Sequence, residues 1–242
     1  MKHQILKYLG LVVLTIMLFS CGGKKYQKNP LDLIVRDLPS DKPFTAILFD
    51  METKGNFVET FYHQYKIVQD DGQGKLEEFN TGMLQVSKET FNKHINDMGM
   101  EVMARDSTGQ LSKGAAPPGY SNYVGNQKYG QWKSDNSGNS FWAFYGRYAM
   151  MSSMFNMMSY PARRSHYNDY RGGYAGTGRG YYGPSTGGSS YYGTNSAHGR
   201  STKPNSSWSK SRSSFKQNVS SRTARSSTSS SGYRSRSGSF GK

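Results

Sequence analysis

Three sets of residues carry groups able to do chemistry, and each stops short of a reaction. Gly176-Thr177-Gly178-Arg179-Gly180 has the backbone freedom of a loop that cradles phosphate. No strand-like run leads into it, no helical pattern leaves it, and the lysine that would reach the phosphates is missing. Composition accounts for it. Asp70-Asp71 and Glu77-Glu78 are carboxylate pairs with the chemistry of a metal site or an acid/base set. They sit around Gly72 and Gly74, at a turn and an edge strand, where carboxylates are ordinarily solvated. Serine, histidine and aspartate can always be found together in a serine-rich chain, so their presence alone marks no triad. The histidines His3, His63, His94, His166 and His198 stand singly, and Cys21 has no second cysteine with which to make a zinc spacing. The chain reads as non-catalytic, with no cofactor and no metal.

The thiol of Cys21 has a different use. Lys2 and Lys7 precede an apolar run from Leu9 to Phe19, which ends in Leu18-Phe19-Ser20-Cys21 and then Gly22-Gly23-Lys24-Lys25. The run is shorter than the roughly 20 residues a membrane span needs. A basic start, a short apolar stretch and the small Ser20 fit a secretory signal. These residues resemble the signal peptide and lipobox of bacterial lipoproteins, with Phe19 standing where a small residue is usual. The resemblance covers the first 21 residues alone. It implies cleavage before Cys21, acylation of the cysteine, and an envelope protein held to a membrane by its N-terminal lipid. Gly22 does not resemble the aspartate that retains many lipoproteins at the inner membrane, so the outer membrane is the expected location. Asp106-Ser107-Thr108 resembles an O-glycosylation site used by some envelope-protein systems.

Charge divides the chain. Residues 22–140 hold 14 Lys/Arg and 15 Asp/Glu, whereas residues 141–242 hold 15 Lys/Arg and the single acid Asp169. With Lys2 and Lys7 these sum to the net +15. The basic excess therefore belongs to one segment. From Pro161 onward there are 22 serines, many glycines, no Leu, Ile or Met, and Val219 alone among branched aliphatics. Such a composition predicts too little apolar burial to offset the entropy of ordering. Residues 161–242 are expected to be a basic, disordered, low-complexity tail in which Tyr181-Tyr182-Gly183 repeats as Tyr191-Tyr192-Gly193.

The foldable part precedes it. After a signal at 1–20 and a lipidated tether at 21–30, residues 31–112 are expected to form a small α+β domain. Phe44–Phe49, Phe57–Val68 and Leu76–Asn80 read as strands, with a turn at Lys54-Gly55-Asn56. On the second, Phe57, Phe61, Tyr65 and Ile67 share a face. Ser87 caps a helix whose Phe91, Ile95 and Met98 line one side, Val86 and Phe91 staple its start, Gly99 ends it, and Met100–Ala104 returns as a strand. Residues 113–140 are a Gly/aromatic loop region, in which glycine–aromatic neighbours favour backbone-on-ring packing over an aromatic ligand surface. Residues 141–160 read as an apolar Met/aromatic helix, buried as a core element, lying in a bilayer interface, or docking a partner. The fold class is α+β: a small antiparallel sheet with one or two packed helices, followed by the tail.

The functional expectation is a non-catalytic envelope lipoprotein. Its tail contacts anionic polymers such as lipopolysaccharide, acidic glycan or nucleic acid. Arg163, Arg164, Arg171, Arg179, Arg212, Arg222, Arg225, Arg234 and Arg236 supply salt-sensitive attraction. Tyr181, Tyr182, Tyr191, Tyr192 and Trp208 supply aromatic contacts. The alternative is a scaffold or assembly subunit that docks on an envelope protein through residues 113–160.

Overall fold

The computed structural model describes residues 28–55, 58–71, 75–157, 160–186, 189–202 and 205–210. The signal peptide, Cys21, and Arg212, Arg222, Arg225, Arg234 and Arg236 lie outside the described residues. The fold is α+β. A mostly antiparallel sheet runs in the order Leu76–Asn80, Thr60–Asp70, Phe44–Lys54, Glu101–Arg105, Leu111–Ser112, with Leu84–Val86 also paired to Thr60–Asp70.

Pro30 at the first helical position and Asn29, whose side chain accepts from the Leu31 amide, start α1 (Pro30–Asp37). Strand β1 (Phe44–Lys54) pairs with β2 (Thr60–Asp70), Phe44 facing Gln69 and Lys54 facing Thr60. A register shift between Leu48 and Asp50 resets the alternation, so Phe44, Ala46, Leu48 and Met51 all enter one core. Phe61, Tyr65 and Ile67 of β2 join them, as their shared parity requires. Strand β2 begins later than its sequence suggests, and Phe57 lies outside the described residues. Strand β3 (Leu76–Asn80) is the expected edge, and β4 (Leu84–Val86) leads into α2 (Lys88–Lys93).

The Ser87 hydroxyl accepts from the Thr90 amide at 3.0 Å, and Val86 and Phe91 are both buried around that cap. The helix ends at Lys93 rather than at Gly99. Ile95 and Met98 continue in turns but remain buried in the same core, and Gly99, at φ +81°, delivers the chain into β5 (Glu101–Arg105). Strand β6 (Leu111–Ser112) closes that side of the sheet.

Two segments correct the sequence reading. Residues 141–160 are not one helix. Strand β7 (Gly130–Ser134) and strand β8 (Ser140–Phe144) form a hairpin with Trp132 opposite Trp142. A single 3-10 turn at Gly146–Tyr148 and the short α3 (Met150–Met154) follow. The turn Asp135–Asn139 sets the hairpin, because Asp135 Oδ1 accepts from the Ser137 and Asn139 amides at 2.9 and 2.8 Å. Aromatic residues favour this pleated geometry, which puts Trp142 and Phe144 on one face.

The second correction concerns the tail, which as far as Lys210 is part of the fold wherever it is described. It contains α4 (Arg164–Gly173), the two-residue strands β9 (Ser185–Thr186) and β10 (Ser189–Ser190), α5 (Ala197–Thr202) and α6 (Ser207–Lys210). Aliphatic side chains are scarce there, but rings replace them. Tyr170, Tyr181, Tyr192 and Trp208 are all buried. Each such ring covers on the order of 150–250 Å².

Two cores result. One gathers the β1 and β2 residues with α1, α2 and Trp208, whose ring lies 6.0 Å from Phe91. The other is built largely of rings: Tyr120, Tyr123, Tyr129, Trp142, Tyr148, Phe155, Tyr170, Tyr181 and Tyr192, with Met151 and Met154. Edge-to-face pairs dominate it, including Tyr123–Tyr129 and Tyr129–Tyr148, both with centroids 5.0 Å apart. The glycines permit this packing. A Cβ on Gly125, at φ +77°, would lie 2.5 Å from the Tyr167 ring, and one on Gly130 would lie 2.4 Å from the Ala143 carbonyl oxygen.

Candidate functional site

Where it is described, the basic segment turns most of its rings inward and most of its arginines outward. Arg164, Arg171 and Arg179 are exposed, as are Arg147 and Arg200, while Arg163 is half-buried. Among the described residues none of these six forms an ion pair with a carboxylate. The Lys/Arg ion pairs in the described structure all lie in the N-terminal, charge-balanced portion, Lys66–Glu78 at 3.0 Å and Lys128–Asp70 at 3.1 Å among them. Several of the arginines rest on rings: Arg164 lies 5.7 Å from the centroid of Trp132, Arg179 5.0 Å from Tyr174, and Arg147 4.9 Å from Tyr148. A guanidinium on an aromatic face keeps its hydrogen-bonding edge toward solvent.

The aromatic contacts expected from the sequence are corrected accordingly. Tyr181, Tyr192 and Trp208 are only 4, 5 and 5 % exposed, so they offer no face to a ligand. Tyr182 and Tyr191 are half-buried, with Tyr182 donating to Asp97 Oδ1 at 2.6 Å and Tyr191 against His166 at 5.0 Å. These rings hold the segment in place. Residues 113–160 are likewise turned inward; Tyr145 and Met150 are their exposed large apolar side chains among the described residues.

Beneath the arginines lies a polar cluster that sequence reasoning missed. Glu101 opens β5 in the run Met100-Glu101-Val102-Met103-Ala104 and is 1 % exposed. Its carboxylate accepts from the Gly119 amide at 3.0 Å and from the Ser121 hydroxyl. Ser121 Oγ also lies 3.0 Å from the Tyr170 hydroxyl of α4. No cation joins this set among the described residues. Burial therefore outweighs the hydrogen bonds and pushes the Glu101 carboxyl up to about 7. A lone acid inside an apolar strand was the available signal.

Ser121 and Tyr170 form part of the wall of a cavity of about 550 Å³. Lys113, Asp106, Leu111, Arg171, Gly176, Thr177 and Gly178 line it as well. The Gly176–Gly180 run thus rims a cavity without a strand before it or a helix after it. Thr177 closes the turn on itself, donating to the Tyr174 carbonyl at 2.7 Å and accepting from the Arg179 amide at 3.2 Å.

The carboxylates noted in the sequence serve elsewhere. Asp70 accepts from Tyr129 at 2.5 Å and from Lys128 at 3.1 Å, and Glu77 and Glu78 pair with Lys75 and Lys66. On the opposite face of the sheet, His63 lies 3.0 Å from the Tyr65 hydroxyl through Nδ1, and His94 Nδ1 lies 2.8 Å from Asp97 Oδ2. Burial lowers His63 to about 3, so the ring is neutral. The described residues contain no group of three potential metal ligands, and no helix among them is long and apolar enough to cross a membrane. No known protein family, characterised protein or solved structure matches the chain.

Proposed function

We propose that the chain is a lipid-anchored envelope protein that contacts anionic envelope polymers through its arginine surface, in a non-catalytic role. The carrying observation is that Arg147, Arg164, Arg171, Arg179 and Arg200 are exposed without carboxylate partners among the described residues, while the rings of the same segment are buried. Unneutralised cations on a rigid support attract polyanions over a Debye length, about 8 Å at physiological salt. The basic excess of residues 141–242 adds to that field. Lipidation at Cys21 would concentrate the surface against the membrane that bears such polymers.

The test uses the full chain, because Tyr170, Tyr181, Tyr192 and Trp208 pack into the cores and an isolated 161–242 segment would lose that support. Binding to lipopolysaccharide, an acidic polysaccharide and single-stranded nucleic acid is measured across a salt series. Affinity is expected to fall steeply as salt rises. Absence of binding to all three at low salt would overturn the reading. In the cell, Cys21→Ser is expected to leave unprocessed precursor that takes up no palmitate.

A further inference from the structure

The cavity over Ser121 combines chemistry that a bare anion site does not need. Arg171 and Lys113, whose ammonium also lies 3.7 Å from Asp32, supply cations from two separate segments. Asp106 supplies a carboxylate, fixed in the turn after β5 because its Oδ1 accepts from the Thr108 amide at 2.9 Å, the Thr108 hydroxyl at 2.6 Å and the Gln110 amide at 2.9 Å. Leu111, 38 % exposed, supplies an apolar patch to the same lining. An inorganic phosphate would satisfy the cations but be repelled by Asp106 and would leave Leu111 in water. A ligand suited to all three must carry a negative group, hydroxyls able to donate, and a C–H face. An acidic sugar has these three features on one ring. The volume, about 550 Å³, lies within the usual range for small-molecule sites, about 300–1,000 Å³.

We propose that this cavity binds one acidic pyranose unit, with its carboxylate against Arg171 and Lys113, hydroxyls toward Asp106 and Thr177, and its C–H face on Leu111. The proposal rests on the polyanion reading and names the polymer class, an acidic polysaccharide engaged through a single residue of its chain. Ser121 and Tyr170, tied to Glu101, make the polar floor under that unit.

Saturation-transfer NMR on the full chain, with D-glucuronate as probe, tests it. Transfer to the sugar C–H protons is expected for glucuronate and much less for glucose, with no displacement by an equal concentration of inorganic phosphate. A charge-assisted contact is worth about 1.5–3 kcal/mol, so Arg171→Gln should weaken glucuronate about tenfold or more, and Lys113→Gln should add to it. Leu111→Asp should abolish binding, and Lys54→Gln, in the β1–β2 hairpin and outside the cavity lining, should leave it unchanged. Equal binding of glucose, displacement by phosphate, or undiminished binding by the Lys113→Gln/Arg171→Gln double variant would overturn the proposal. If that double variant keeps native affinity for acidic polysaccharide, the cavity proposal fails and the surface reading stands. If the native chain binds glucuronate but none of the polymers, the surface reading fails and the cavity stands.

Discussion

Tyr182 donates its phenolic hydrogen to Asp97 at 2.6 Å, joining the serine-rich segment to the loop after α2. Thr194 reinforces the joint, donating to the Ile95 carbonyl at 2.6 Å and accepting from the Met98 amide at 3.0 Å. Farther on, Asp50 of β1 accepts from the Ser207 amide at 2.7 Å and from the Trp208 amide at 3.3 Å, which caps α6. The segment is thus fastened at successive points along the sheet.

Removal of everything after Pro161 should therefore abolish folding. It deletes Tyr170, Tyr181, Tyr192 and Trp208, each worth roughly 1.5–3 kcal/mol of burial, against a typical total stability of about 5–15 kcal/mol. Near-ultraviolet circular dichroism of the truncated chain should show no ordered aromatic signal. The single change Trp208→Ala should cost about 3 kcal/mol in a urea titration. A truncated chain with native-like dichroism would mean the sheet folds without this cover.

Tyr148→Phe should be neutral or stabilising by about 1 kcal/mol. Tyr148 is fully buried, and its hydroxyl has no hydrogen-bond partner among the described residues. Its ring, 5.0 Å from Tyr129, is retained in phenylalanine. Deleting an unsatisfied buried hydroxyl removes a desolvation cost without opening a large cavity. A drop of more than 1 kcal/mol in urea would point to a partner for that oxygen.

Much of the sheet was legible because its residues obey simple periods. The parity of Phe61, Tyr65 and Ile67 and the cap at Ser87 foretell β2 and the start of α2. The aromatic half was not. The run Phe141–Tyr160 suits a helix by hydrophobicity alone, and only the pairing of Trp142 with Trp132 reveals a strand. The tail misleads because burial is usually judged by Leu, Ile and Val, whereas here tyrosine supplies it. The arginines of the site were visible as charge, but their rigid presentation depends on Trp132 and Tyr174, far away or unremarked in sequence. Glu101 was passed over because one acid in an apolar run carries no partner signal; Ser121 and Tyr170 arrive only in three dimensions.

Glu101 should make stability depend on pH. Its carboxyl is raised to about 7 in the folded chain, from 4.5 when unfolded. The folded state therefore holds the proton more tightly, and stability should decline as pH rises from about 4.5 to 7, then level off. The full span is of order 3 kcal/mol. Glu101→Gln keeps an oxygen for the Gly119 amide and cannot ionise. The variant should equal or exceed the native chain above pH 7 and lose this component of the slope. His63 acts in the opposite sense, since its folded value near 3 lies below its unfolded 6.5. It withdraws stability as pH falls below 6.5, in both chains, so the native-minus-variant difference isolates Glu101. Urea midpoints at half-unit steps from pH 5 to 8 check this; a constant difference would mean the carboxyl titrates normally.

The arginine and tyrosine contributions should separate cleanly in polyanion binding. Each cation that neutralises a charge on the polymer releases counterions, so log affinity falls linearly with log salt, with a slope of about 0.7–0.9 per phosphate contacted. Arg164, Arg171 and Arg179 are exposed and lack carboxylate partners among the described residues. Changing all three to Gln should lower the slope for single-stranded nucleic acid by up to about 2 while leaving the thermal midpoint nearly unchanged. Tyr181→Ser and Tyr192→Ser should do the reverse. Both rings are buried, and the Tyr192 hydroxyl lies 3.3 Å from the Tyr120 hydroxyl and 3.1 Å from His166 Nδ1. Their loss should depress the melting temperature and leave the slope of the remaining folded chain intact. A Tyr192→Ser protein that melts normally but binds weakly would show instead that this ring reaches the polymer, and that the folded surface opens when it is engaged.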